Sequence, residues 1–261
     1  MTAAAHGELI EPAYRTGRSE TLRVERLAEP RAGRVCIFVA MTVWGYVFSV
    51  NQRKDPSVQT SANQPSSPDE RLLAPDLMRV LRTLEPLPPP GDRPTMVVLC
   101  GLPGVGKSTF ARRLAARAPV AVVGSDEVRK TLFPQPQYTG SEHARVFGAV
   151  HTVLAELLRR RISAVFDATN LYERLRRRAY RIAQNSVCGL VIVEVVAPPE
   201  VVRQRLERRA AVADPRDRSD ATWEVYLQMA DRMQPVRQEH FTVDTSVESD
   251  QALMAIAQLV V

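Results

Sequence analysis

The sequence predicts an α/β fold, a parallel sheet of about five strands flanked by helices, and three features predict it. Five short apolar, β-branched runs alternate with helical stretches after residue 93, the pattern of strands buried on both faces. A glycine-rich loop, Gly101-Leu102-Pro103-Gly104-Val105-Gly106-Lys107-Ser108, sits between the first run and the helix behind it. A carboxylate, Asp167, closes the third run. In open parallel sheets ligands gather beyond the C-terminal strand ends, where both the loop and Asp167 fall.

Taken in order, the strands are expected at 94–100 (PTMVVLC), 119–124 (PVAVVG), 162–167 (ISAVFD), 188–197 (CGLVIVEVVA) and 240–244 (HFTVD). The intervening helices are expected at 107–117, from about 126, and at 141–161, 171–185, 199–210, 220–233 and 249–258. Residues 141–161 place Val146, Phe147, Val150, Val153, Leu154, Leu157 and Leu158 on one helical face, which must therefore be a core face. Upstream, Leu72, Leu73, Leu77, Val80, Leu81 and Leu84 give 71–84 the spacing of a short amphipathic helix that can pack on the domain behind it.

Domain organisation follows from composition. The stretch 86-PLPPPGDRP-94 cannot continue a helix and reads as a connector, so residues 94–261 form the predicted domain and 1–93 an extension. Within that extension, 51–70 is polar and aperiodic, as a linker is. The run 35-VCIFVAMTVWGYVFSV-50 is sixteen residues long. That is marginal against the about 17–25 residues of a spanning helix. Six Arg precede it within twenty residues and two basic residues follow, a bias that would leave the C-terminal domain outside. A buried element, or sequence upstream of the real start, is therefore the expectation, with a cytoplasmic protein, and a membrane anchor with the C-terminal domain in the cytoplasm the alternative. Nothing bears on oligomeric state.

The formal net charge is +6, with 12 basic and 11 acidic residues in 1–93 against 23 and 18 in 94–261. The positive charge thus belongs to the C-terminal part, which suits anionic ligands. Three Cys without C-x-x-C spacing argue against a disulfide framework and a cysteine zinc site. Among 35 basic residues only Lys54, Lys107 and Lys130 are lysines, and Lys107 is the lysine of the glycine loop.

Residues 101–108 complete the pattern G-x-x-x-x-G-K-[ST], between a strand and a helix as that pattern requires. The loop from Gly101 through Thr109, with a backbone N–H at every residue but Pro103, can cradle the phosphates of ATP. Lys107 reaches the β- and γ-phosphates, and the Ser108 hydroxyl suits Mg²⁺. Asp167 at the third strand end is a second Mg²⁺ candidate, or else a helix cap, a job Thr169 or Asn170 could take instead. Asp126 and Arg129 lie one turn apart if a helix begins there. They can act as a base for an acceptor hydroxyl and a clamp for an anionic group, or simply as a cap and a surface ion pair. Arg205 and Arg209 share a helix face ahead of Arg216 and Arg218, where a mobile segment could cover transferring phosphate. A second basic run, 174-RLRRRAYR-181, reads as a solvated helix face or a nucleic-acid surface. No [NT]-K-x-D motif is present, which disfavours a GTPase.

Residues 95–232 resemble P-loop kinases of the polynucleotide-kinase and zeta-toxin type, on four pieces. These are GLPGVGKST at 101–109, Asp126 with Arg129, DATN at 167–170, and RLERR…DRSDA running into Glu224 and Tyr226. The resemblance implies a P-loop NTPase fold of nucleoside-kinase type with an Arg-rich lid, using ATP and Mg²⁺. It implies Asp126 as general base, Arg129 on an acceptor phosphate, and Arg205 and Arg209 on the donor. No phosphatase or ligase domain accompanies it, and 1–93 matches no known pattern. The expected acceptor is the hydroxyl of a small molecule or of a nucleic-acid 5′ end. The alternative from another class is an ATP-binding regulator with slow hydrolysis.

Overall fold

A computed structural model of the chain describes residues 68–211 and 220–260. The apolar run 35–50, the linker up to 67, Arg216 and Arg218 lie outside the described residues. Among the described residues no helix is long and apolar enough to cross a membrane.

Five strands form one sheet: β1 (Thr95–Cys100), β2 (Val120–Gly124), β3 (Ser163–Asp167), β4 (Gly189–Val196) and β5 (Phe241–Asp244). Their order is β2-β3-β1-β4-β5, and every pair is parallel. All five match the expected runs to within a residue at nearly every boundary. The helices are α1 (Pro68–Thr83), α2 (Lys107–Ala115), α3 (Ser125–Leu132), α4 (Gly140–Arg159), α5 (Glu173–Asn185), α6 (Pro199–Ala211), α7 (Trp223–Ala230) and α8 (Asp250–Gln258).

Alternation along β1 builds two cores at once. Met96, Val98 and Cys100 face one side with Phe166 and the apolar faces of α4 and α5. Val97 and Leu99 face the other side with Phe110 and Leu114 of α2, and Leu253 and Ile256 of α8. Each fully buried side chain of this size contributes about 1.5–3 kcal/mol, so a strand apolar on both faces has no stable solvated alternative. Helix α1 joins the first core through Val80 and Leu81, and Asp76 accepts two hydrogen bonds from Arg145 of α4 at 2.7 and 2.8 Å. The packed region therefore begins upstream of the proline-rich connector.

Register places the site. Leu99 pairs with Asp167, and Asp167 with Gly124, so the ends of β1, β3 and β2 are level. The chain leaves β1 for one side of the sheet and later places β4 on the other, so the glycine loop opens at the point where strand order reverses.

Several expected helix boundaries shift: α1 starts at Pro68 rather than 71, and α2 and α4 end two residues early. Helix α5 starts at Glu173 rather than 171, because Tyr172 keeps an extended backbone, φ −111° and ψ 143°, at the N-cap position. Helix α7 is shorter than 220–233 and starts after Thr222, whose side chain accepts from Val225 N.

Candidate active site

The glycine loop is shaped by residues that no side chain could replace. Gly106 stands at the α2 N-cap position with φ 99°, and a Cβ there would press on Thr245. Gly101 has φ 143°, and a Cβ would collide with the Val195 carbonyl oxygen. No side chain caps α2, so its first N–H groups are left to a ligand, and the helix dipole favours an anionic one. Pro103 and Val105 are buried beneath the loop, Leu102 and Gly104 are half-buried, and Ser108 and Thr109 are exposed at its mouth.

Three contacts hold this loop from outside. Gly101 N donates to Thr169 O at 3.1 Å. Asn170 Nδ2 donates to Leu99 O at 2.7 Å. The Thr245 hydroxyl donates to Val105 O at 2.6 Å. The Asp167–Asn170 segment is thus a brace for the loop. Neither Thr169 nor Asn170 caps α5, whose N-cap position is Tyr172, and Asp167 lies too far upstream to do so.

Lys107 is buried and donates from Nζ to Leu102 O at 2.8 Å. Burial pulls its pKa below the ordinary lysine value, opposed by the charges of Asp167 and Asp126. Burial pushes the Asp167 carboxyl above its ordinary value, opposed by Lys107 and by a hydrogen bond from Ser108, while Asp126 adds to the rise. Lys107, Asp126, Asp167 and Ser108 therefore form one electrostatic cluster. Arg112 of α2 and Arg209 of α6 also act on it, through Asp167 and Lys107 respectively.

Asp126 and Arg129 share one face of α3, but they are not a surface ion pair. Gly124 is the N-cap position, so Asp126 is not the cap; it is exposed toward the cluster. Arg129 is 6% exposed, and its ion-pair contact is Glu142 at 3.7 Å, too long for a hydrogen bond. Its Nε and Nη1 have no hydrogen-bond partner. Glu142 is occupied elsewhere, accepting from Gln137 N and Tyr138 N at 2.7–3.0 Å. The Tyr138 ring lies 4.9 Å from the Arg129 guanidinium carbon. His143 Nδ1 lies 3.5 Å from Arg129 Nη2.

The two lid arginines part company. Arg205 donates to Thr245 Oγ1 at 2.8 Å and to Thr245 O at 2.7 Å, with a longer contact to Val105 O at 3.4 Å. It supports the loop from behind. Arg209 donates to Ala221 O and lies on the Lys107 side. Asp220 is clasped by Lys130 Nζ at 2.9 Å and the Tyr138 hydroxyl at 2.5 Å.

Sequence reasoning missed several of these groups. Arg176, read within a solvated basic run, is 0% exposed and donates to Asn170 O, Pro235 O and Glu173. The signal was available, since 176 falls with Ala179, Tyr180 and Ala183 on the apolar face of α5. Thr245, Tyr138 and Glu142 carried no such signal, because they reach the site only through the fold.

Comparisons with known proteins agree with this geometry. A family model described as an AAA domain matches residues 96–236, more than half of the chain. The L-seryl-tRNA(Sec) kinase of Methanococcus maripaludis is 26% identical over 115 residues, 42% of this chain and 44% of that protein. The chain thus aligns with less than half of that relative's length. Among solved structures, a protein from Chloroflexus aurantiacus superposes with a TM-score of 0.53 at 18% identity, over 64% of this chain and 99% of that one. Kti12 of Chaetomium thermophilum in complex with ADP-AlF3 gives 0.50 at 18% identity, over 64% and 99%. The APS kinase of Mycobacterium tuberculosis in complex with AMPPNP and APS gives 0.50 at 15%, over 66% and 98%. With its loop, brace and cluster, the chain belongs to this AAA domain family and has the five-stranded parallel fold of P-loop kinases.

Proposed function

We propose that the protein transfers the γ-phosphoryl group of ATP to a hydroxyl of a small-molecule or nucleic-acid acceptor. The observation that carries this reading is the position of Asp126. It is an exposed carboxylate beside the glycine loop, and its charge acts on both Lys107 and Asp167. A base in that place serves an acceptor, because the loop and Lys107 already account for the donor. The phosphoryl acceptors named for the seryl-tRNA and APS kinases support a hydroxyl acceptor of either size.

In this mechanism the loop amides from Gly104 to Thr109 and Lys107 hold the donor phosphates, Gly101 N being taken by Thr169 O and Pro103 having no N–H. Ser108 and Asp167 form a hard oxygen donor pair that fits Mg²⁺. When bound, that ion neutralises phosphate charge. Asp126 accepts the acceptor hydroxyl's proton as its oxygen bonds to the γ-phosphorus, and the bond to the β,γ-bridging oxygen breaks to release ADP. Arg129 holds an anionic part of the acceptor, its Nε and Nη1 making no hydrogen bond within the fold. Arg209 stabilises the transferring charge, and Arg205 keeps the loop in shape through Thr245. The proposed kinase domain is 94–261 with α1 docked on it, and the proposed compartment is the cytoplasm.

A labelled-ATP screen over sugars, nucleosides, antibiotics and 5′-hydroxyl oligonucleotides tests this reading. With the acceptor found, Asp126→Ala is expected to lower kcat by about 10²–10⁴-fold while ATP binding is retained. Undiminished transfer by Asp126→Ala would remove the base assignment. ATP binding with no acceptor in any class would favour a slow regulatory ATPase.

A further inference from the structure

Helix α5 carries two kinds of arginine. Arg176 is buried, and Arg177 pairs with Glu173 at 3.6 Å. Arg174, Arg178 and Arg181 are exposed, and their spacing of four and three residues stacks them on the face opposite Ala179, Tyr180 and Ala183. With a rise of about 1.5 Å per residue, the three guanidinium groups leave the helix at steps of about 5–6 Å.

This stripe has no counterions to spare. Among the described residues, the carboxylates on flanking elements are already engaged. Glu142 holds loop amides, Glu156 holds Arg159 and Arg160, Glu173 holds Arg176 and Arg177, and Asp76 holds Arg145. A solvated basic face is ordinarily interleaved with acids, and this one is not.

Position gives the stripe a direction. Helix α5 follows the site end of β3, so Arg174 lies at the active-site end and Arg181 leads away from it. Burial chiefly disfavours protonation of His143, which lies 3.5 Å from Arg129, and of His151 about two turns further along α4; the Arg174 charge adds to the effect on the first and the Arg178 charge to that on the second. The Arg174 guanidinium also lies 5.5 Å over the Tyr172 ring, and the ring of Tyr138, 55% exposed, lies 4.9 Å from the Arg129 guanidinium carbon. Two aromatic faces and a buried guanidinium whose Nε and Nη1 make no hydrogen bond thus stand at the head of an uncompensated row of positive charge. A single-stranded polynucleotide has the matching chemistry, with bases to stack and a repeating phosphate backbone.

We propose that Arg174, Arg178 and Arg181 form a track for the backbone of a single-stranded nucleic-acid acceptor whose terminal hydroxyl reaches Asp126. The proposal rests on the kinase reading above and narrows its acceptor to a polynucleotide.

The test is fluorescence anisotropy of a labelled 12-nucleotide 5′-hydroxyl RNA with the full chain, across a salt series, beside ATP binding. The triple variant Arg174→Gln, Arg178→Gln, Arg181→Gln is expected to bind the RNA at least about tenfold more weakly. Its log K against log salt slope should flatten by about 2, at about 0.7 per lost phosphate contact. ATP affinity should stay unchanged, and the triple Lys variant should keep most of the salt slope. Absence of RNA binding by the natural chain, or an unchanged slope in the Gln variant, would overturn the track. If ATP still binds and a small molecule is phosphorylated, the kinase reading stands alone; if ATP does not bind, both fall. Stripe-dependent binding to phosphatidylserine–phosphatidylcholine vesicles without RNA binding would also overturn the proposal, in favour of a membrane surface.

Discussion

Arg176 is the residue whose chemistry is most exposed to a single change. Its guanidinium is sealed from water and spends its N–H groups on Asn170 O at 2.9 Å, Pro235 O at 2.7 Å and Glu173 at 3.0 Å. Those partners fix the carbonyl of Asn170, whose own side chain braces Leu99 at the base of the glycine loop. Removing the guanidinium leaves two carbonyls unanswered in a dry site and Glu173 with Arg177 alone, a loss of about 3 kcal/mol. Arg176→Met is therefore expected to lower the urea midpoint with m unchanged, whereas Arg177→Met should leave it within error. The contrast is informative because the two neighbours differ only in the side of the helix they occupy.

At the scale of elements, the glycine loop depends on a strand it never touches in sequence. Thr245, just past β5, donates to Val105 O and is itself gripped by Arg205 of α6 at both its hydroxyl and its carbonyl. The Thr245 side chain also fills the space that a Gly106 Cβ would need. Thr245→Val keeps the shape and removes both hydrogen bonds of the hydroxyl. It is expected to cost about 1–3 kcal/mol of stability, since Val105 O and the Arg205 Nη1 group lose a partner inside a half-buried site. ATP binding should weaken with it, about tenfold, by calorimetry. Full ATP affinity in Thr245→Val would mean that the loop holds its shape without α6 and β5.

For the whole molecule, stability should fall as pH drops from neutral toward 4. His151 lies in the first core, edge-on to Phe166 at 5.8 Å, and burial lowers its pKa to about 4, with the Arg178 charge adding to the shift. The unfolded chain takes up that proton near the ordinary value of about 6.5, and the folded one refuses it until far lower. The stabilising difference is therefore complete above about 6.5 and is lost progressively as pH falls toward 4, by about 3 kcal/mol in total. Urea midpoints at pH 7 and pH 5 are expected to differ in the natural chain, and the difference should shrink in His151→Leu.

Strands, helices and the glycine loop were legible in the chain because each is set by local chemistry: β-branched runs, helical spacing, and glycines where φ is positive. Lys107, Ser108, Asp126, Arg129 and Asp167 were legible for the same reason, since each sits at a fixed offset from a strand end or loop. Which of the many arginines are structural, which face the loop and which stay uncompensated was not written locally. Arg176 and Arg177 are adjacent in sequence and opposite in environment, and Arg205 turned from the expected phosphate contact to Thr245, forty residues away. An arginine can serve in a core, a brace or a free stripe with the same side chain. Only the packing of distant elements decides which carboxylates and carbonyls are near enough to claim its charge.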